Sequence, residues 1–337
     1  MQPDSPGADQ IELSVVVPVY REAGNIPVFV DRMLPILQEV SDSYEVIFAL
    51  DPSPDESEQV LRELGTVHPE IKTLVFSRRF GQPSATLAGI DHAQGKAVVV
   101  MDVDLQDPPE LVSEMVEKWR EGFDVVVAQR RSRDGERAIK RLVAWLGYRA
   151  INRFSDVEIP KDTGDFRLMD RCVVTELRRF PEAHGFLRGL TALVGFRQTT
   201  VQFDRAARHA GKGNYNQFVG SLKIGLNGLI AFSTALLNFA TLIGVFAAFA
   251  SFVTAGVYMI LKFTGTNFPL GNPTIVVLVL LLGGMNLICL GIVGQYIGRI
   301  YEEVKRRPRY IVQRSYNFDH AGSNLVERMR TNSDTRS

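Results

Sequence analysis

Along the first 130 residues the apolar positions fall into short runs divided by polar turns. Leu13–Pro18 (LSVVVP), Tyr44–Leu50 (YEVIFAL), Ile71–Phe76, Ala97–Met101 and Asp124–Ala128 are 5–7 residues long and rich in Val, Ile and Phe, which predicts buried strands. Between them the period changes to that of a helix. Val28, Phe29, Met33, Leu34 and Leu37 recur at helical spacing, with Asn25 as candidate cap, Pro27 in the first turn and Pro35 as an obstacle to an unbroken helix. Further helices are predicted over Glu56–Leu64, Ser84–Ala93 and Glu110–Glu121. Strands and helices alternating at this rhythm predict right-handed crossovers and an α/β, doubly wound, mostly parallel sheet, with ligands outside the carboxyl ends of the strands. Tyr20, Asp51, Ser77, Asp102 and Gln129 follow those ends, so one edge of the sheet collects the polar residues.

Beyond residue 130 the pattern loosens and then changes in kind. Gln129–Lys140 is a dense charge run, Arg149–Phe154 ends a predicted helix, and Lys161–Asp170 (KDTGDFRLMD) mixes glycine, acids and an apolar pair. A helix over Cys172–Phe180 and a strand over Arg197–Phe203 precede the glycine- and cation-bearing Asp204–Asn216. Phe218, Leu222, Leu226, Leu229 and Ile230 then line one helical face, as expected of a helix lying in a membrane interface. Ala235–Leu261 and Ile275–Ile297 exceed the ~20 apolar residues that cross a hydrocarbon core. The expected organisation is a flexible start over 1–12, a soluble domain over 13–216, an interfacial helix over 217–233, two transmembrane helices over 234–299 and a basic tail over 300–337 that is loose after Arg314.

Composition changes this picture only once it is divided. Lys plus Arg and Asp plus Glu are balanced at 38 each, but no charged side chain lies between Lys223 and Lys262 or between Lys262 and Arg299. The cations of Arg299–Arg309, against Lys262 alone at the other end of the spans, place both termini and the soluble domain in the cytoplasm, on a multi-pass inner-membrane protein. Cys172 and Cys289 form no disulfide framework, and MQPDSPGADQ lacks the basic and apolar regions of a cleaved signal peptide. Membrane lipid is an expected partner and nucleic acid is not.

The chemistry concentrates in Ala97–Pro109 (AVVVMDVDLQDPP), where a buried strand runs into carboxylates. Extended geometry would set Asp102, Asp104 and Gln106 on one face, an oxygen-only set suited to Mg²⁺ or Mn²⁺. A surface loop is the alternative for a bare Asp-x-Asp, and position at a strand end favours the metal. Asp51 is placed for a nucleoside's base or ribose, or for an ordinary turn in DPSPD.

The ordered set VVVPVYREAGNI, DPSPD, SRRFGQPSATLAGIDHAQG, VVVMDVDLQDPPEL, DFRLMD and GQYIGRIYEEVKRRPRY resembles the polyprenyl-phosphate glycosyltransferases. These are family 2, inverting, GT-A-fold (Rossmann-like) membrane enzymes that include bactoprenol glucosyltransferases and dolichol-phosphate mannose synthases. The resemblance spans Leu13 to Tyr310 and implies a role for each matching residue. It makes Asp104 and Gln106 the direct metal ligands and sets Asp102 nearer the nucleotide. Pro18, Tyr20 and Glu22 match a loop around the nucleoside, and Asp51 matches the second acid of an Asp-Asp-Gly-Ser turn in which Leu50 and Pro52 are departures. Asp165 matches an acid where acceptor and sugar meet. Arg133 and Lys140, with Arg205, Arg208 and Lys212, would neutralise the approaching phosphates. The implied reaction moves one hexose to undecaprenyl phosphate, with UDP-glucose the favoured donor. GDP-mannose, UDP-GlcNAc, an aminoarabinose nucleotide or a non-catalytic scaffold are the alternatives, and a homo-oligomer is a further implied partner.

Overall fold

The computed structural model describes residues 11–131, 163–180, 187–204, 235–264 and 273–318. The chain divides into two compact units, one of residues 1–140, 159–216 and 308–337, the other of 141–158 and 217–307.

The first unit is built on eight strands: β1 Leu13–Val19, β2 Tyr44–Leu50, β3 Ile71–Phe76, β4 Ala97–Val100, β5 Val125–Arg130, β6 Thr163–Asp170, β7 Gln198–Phe203 and β8 Val312–Tyr316. They form one sheet in the order β7-β5-β6-β4-β1-β2-β3-β8. The β4-β1-β2-β3 block is parallel, as expected. Six of the eight strands point the same way, so the sheet is mostly parallel, and two run against them. β6 runs antiparallel between β4 and β5, and β8 pairs antiparallel with β3. The reversal of β6 matters for position, because Arg167 pairs with Val100 and Thr163 with Gln129, which brings the start of β6 to the carboxyl ends of its neighbours.

Alternate strand residues feed two layers. Val15, Val17, Phe48 and Val99 pack with α1 (Ile26–Val40), α2 (Ser57–Val67) and α4 (Leu111–Arg120) in a core that includes Phe29, Met33, Leu61 and Met115. On the other face Val16 meets Gly89 of α3 (Gln82–His92). Here α5 (Arg171–Arg179) places Arg178 so that its guanidinium donates to the carbonyls of Ile90, Asp91 and Ala93, satisfying the C-terminal end of α3. A short α6 (Leu187–Val194) follows.

Helix α1 passes through Pro35 unbroken, its inward face fixed by burial of Ile26, Phe29, Val30, Met33, Leu34 and Leu37. Asn25 is helical in φ and ψ and makes no capping bond; its amide donates to Glu22 instead. β5 runs on to Arg130, so Gln129 lies inside the strand rather than beyond it. The stretch after Arg314, expected to be loose, is strand to Tyr316.

The second unit contains α7 (Ala235–Phe263) and α8 (Pro273–Val304). Within them Leu237–Leu261 and Leu281–Val304 are long and apolar enough to cross a membrane. Cys289 of α8 lies 3.7 Å from the Ala240 carbonyl of α7. The interfacial helix expected at 217–233 and the helix ending at Phe154 lie outside the described residues.

Candidate active site

The strand that carries the acids stops at Val100, before the first of them. Residues 101–110 turn, with Leu105 in the left-handed region at φ 58°, so the same-face argument from extended geometry does not hold. Val103 and Leu105 go into the core, while Asp104 and Asp107 are buried and Asp102 and Gln106 half-buried. The Gln106 backbone N–H donates to Asp104 Oδ1 at 3.1 Å, closing the turn on its own carboxylate.

Four carboxylates feel one another here. Burial, then Asp165, Asp104 and Asp107, push the Asp102 carboxyl up to about 7, against the opposing pull of Arg188. Burial also pushes Asp165 up, but Arg188, Arg167 and Arg130 outweigh it and hold the group below the usual carboxylate range. Arg188 Nε donates to Asp165 Oδ1 at 2.8 Å, and Arg130 lies 3.9 Å from Asp107. Arg167 is buried, its guanidinium donating to Thr191 Oγ1 and, at 2.8 Å, to the Gly164 carbonyl. Burial, with Arg188 adding to it, lowers that guanidinium to about 10 against the pull of Asp165.

Around the acids stand three loops. The loop after β1 is tied to DPSPD and to the start of α2, since the backbone amides of Arg21, Glu22 and Ala23 donate to Ser53, Ser57 and Asp55. Asp51, 2 % exposed, turns both oxygens toward the loop after β3, accepting from the Phe80 and Gly81 amides at 2.8 Å each. That loop reaches the other two. Arg79 lies over the Tyr20 ring at 3.9 Å, and Gln82 Nε2 donates to Asp102 Oδ1 at 2.8 Å.

Of the expected site residues, Asp102, Asp104 and Asp165 share one electrostatic cluster, with Gln106 in the same turn, and Tyr20 and Asp51 join it through the Ser77–Gln82 loop. Pro18 pairs with Ala49 inside β1, and Glu22 accepts from Asn25. Arg133, Lys140, Arg205, Arg208 and Lys212 lie outside the described residues. Gln82, Arg79, Asp107 and Arg188 were not singled out by sequence. The first two follow the carboxyl end of β3, the same rule that selected Asp51 and Asp102; Arg188 carried no such signal.

Among the described residues no three His, Cys, Asp or Glu side chains form a ready metal cage. A divalent cation that keeps waters and takes oxygens from a bound diphosphate needs only one or two protein carboxylates, a number that Asp102 and Asp104, adjoining in one turn, can supply.

The profile of glycosyl transferase family 2 matches residues 14–178. A bactoprenol glucosyl transferase of Shigella phage SfII is 39% identical over 307 residues, covering 91% of this chain and 99% of that protein. An uncharacterized glycosyltransferase of Bacillus subtilis (strain 168) is 43% identical over 310 residues, 92% of this chain and 96% of its own. Among solved structures, glucosyl-3-phosphoglycerate synthase from Mycobacterium tuberculosis with Mn²⁺ and UDP aligns at TM-score 0.46 and 18% identity, over 66% of this chain and 79% of that one.

The mixed α/β sheet, with acids and clamped loops at its carboxyl edge, is GT-A-like, and the relatives at 39% and 43% identity make the chain a glycosyltransferase. The chain belongs to glycosyl transferase family 2, in its polyprenyl-phosphate branch.

Proposed function

We propose that this enzyme transfers one glucose from UDP-glucose to undecaprenyl phosphate at the cytoplasmic membrane face, with inversion and with Mg²⁺ or Mn²⁺ as cofactor. The observation that carries the reading is the carboxylate cluster around Asp102, an oxygen-only set at the edge where this class of sheet binds ligands. The names of the bactoprenol glucosyl transferase relatives supply glucose and the lipid. Two apolar helices give the chain a means of meeting that lipid.

Asp104, Asp102 and Gln106 would hold the cation, which when bound supplies positive charge to the leaving diphosphate. A lipid-phosphate oxygen forms the new bond to the anomeric carbon as the bond from that carbon to the UDP oxygen breaks, and UDP leaves with the electron pair. The nucleophile is already anionic at neutral pH, so no strong base is required of Asp165. With Arg188 holding it ionised, Asp165 orients the acceptor side of the sugar. Tyr20, Glu22 and Pro18 border the nucleoside, and Asp51 fixes the loop opposite them. Arg133, Arg205, Arg208 and Lys212 counter the charge of the two approaching anions.

The test is release of the nucleoside diphosphate by the purified full chain with Mn²⁺ and a panel of UDP-glucose, GDP-mannose, UDP-GlcNAc and an aminoarabinose nucleotide, each with and without undecaprenyl phosphate. Release from UDP-glucose that requires the lipid and stops with EDTA is expected. Release without lipid, or transfer from another donor only, overturns the assignment of acceptor or donor. Donor binding with no transfer from any member of the panel would favour a non-catalytic scaffold.

A further inference from the structure

We propose that Tyr310 is a positioning residue for the nucleotide-sugar donor, acting through the Ser77–Gln82 loop; this rests on the donor site described above. Tyr310 stands more than 200 residues beyond the loop it supports, after the last apolar helix. β8 pairs with β3 from Thr73–Tyr316 to Phe76–Val312, with a bulge between Val75 and Phe76. The ladder does not end with the strand. The Ser77 amide donates to the Ile311 carbonyl at 3.0 Å, so the first residue of the loop is paired to the chain entering β8.

Side chains extend the support to the far end of the loop. The Tyr310 ring lies 6.0 Å from Phe76, which lies 6.1 Å from Phe80 in an edge-on arrangement. Phe80 is the residue whose amide is held by Asp51, and Arg79 and Gln82 on either side of the Phe80–Gly81 pair reach Tyr20 and Asp102. Tyr310 is itself fixed, its hydroxyl donating to Asp91 Oδ2 at 3.0 Å and its ring 6.0 Å from His92. The loop is thus gripped from two sides, by Asp51 and by Tyr310 with Ile311, and every described contact it makes with the acidic cluster depends on its path.

The remaining anchors of β8 lie away from the loop. Tyr316 and Arg314 bind Glu58 at 2.9 and 3.0 Å, and the Asn317 amide donates to the Gly65 and Ile71 carbonyls. They provide the control, because weakening them loosens β8 without touching Phe76 or Phe80.

Steady-state kinetics of the full-length enzyme with UDP-glucose and undecaprenyl phosphate decide the matter. Tyr310→Ala is expected to raise the donor KM by about three- to tenfold with kcat and lipid KM within about twofold, and Tyr310→Phe, which keeps the ring, to stay within about twofold throughout. Tyr316→Ala and Arg314→Ala are expected to leave the donor KM unchanged. Should Tyr310→Ala fail to accumulate, Tyr310→Leu carries the same expectation. Equal rises for Tyr310→Ala and Tyr316→Ala would reduce β8 to an edge strand that merely stabilises the sheet, and a fall in kcat at constant donor KM would also overturn the proposal. A wild-type enzyme inactive with every donor would instead fail the functional reading.

Discussion

Gln82 donates its side-chain amide to Asp102 Oδ1 at 2.8 Å, joining the first residue of α3 to the acid two residues beyond β4. The bond ties down a carboxylate already crowded by Asp165, Asp104 and Asp107. Gln82→Ala is expected to raise the donor KM by about tenfold or more, since a hydrogen bond to a charged group is worth about 1.5–3 kcal/mol. Gln82→Glu should do more harm, since it adds a fifth carboxylate to the cluster. Donor titrations of the two variants check the order; a milder effect from Glu than from Ala would contradict it.

The raised Asp102 carboxyl makes a prediction about pH. It moves from an ordinary 3.8 to about 7, chiefly through burial and then through the neighbouring acids. Between those values the folded protein binds more protons than the unfolded chain, so this group's contribution to stability falls as pH rises from about 4 to about 7. A divalent cation favours the ionised form and opposes that loss. The rise in melting temperature on adding Mn²⁺ is therefore expected to be larger at about pH 8 than at about pH 5. Asp102→Asn should flatten the difference, and equal Mn²⁺ shifts at both pH values in the parent enzyme would count against Asp102 as a ligand.

Asp51 gives a sharper mutational signature than a nucleoside contact alone would. Each oxygen accepts a backbone amide, from Phe80 and Gly81, in a buried setting. An asparagine keeps one acceptor and turns an NH₂ toward the other amide, leaving donor facing donor. Asp51→Asn and Asp51→Ala should therefore lose similar stability, about 1–3 kcal/mol, rather than Asn rescuing Ala. Thermal or urea melts of the two variants measure this.

Much of the sheet could be read from sequence because β1 to β5 are buried over most of their length and carry β-branched and aromatic runs that outweigh the buried Ser14, Glu45, Lys72 and Thr73. β6 could not. Its Arg167 sits in the interior and breaks the run, a placement made tolerable only by Thr191 and the Gly164 carbonyl, which no local pattern displays. β8 is a five-residue edge strand, VQRSY, visible only through its partner β3. The same division holds at the site. Asp102 and Asp104 were legible as acids at a strand end, whereas Asp165 was reached by resemblance, and only the reversal of β6 gives its position a physical reason. The extended geometry assumed for Asp102 to Gln106 failed because Leu105 takes a left-handed conformation to enter the core, a preference that leucine does not advertise.

Gly89 carries the clearest packing prediction. It faces Val16 at the centre of the sheet, and a Cβ added there would overlap the Val16 side chain, which is fully buried and backed by the strand. A β-branched side chain in a strand has few rotamers into which it can withdraw, so α3 must move instead. Displacing α3 shifts Gln82 at its first turn, and with it the contact to Asp102. Gly89→Ala is thus expected to cost about 1–3 kcal/mol of stability and to weaken donor binding as well. Val16→Ala on the same chain opens the space the new methyl needs. The double variant should be more stable than Gly89→Ala alone and recover part of its donor affinity, which a double-mutant cycle of melts and donor titrations reads directly. Simple additivity of the two destabilisations would show that α3 does not rest on Val16.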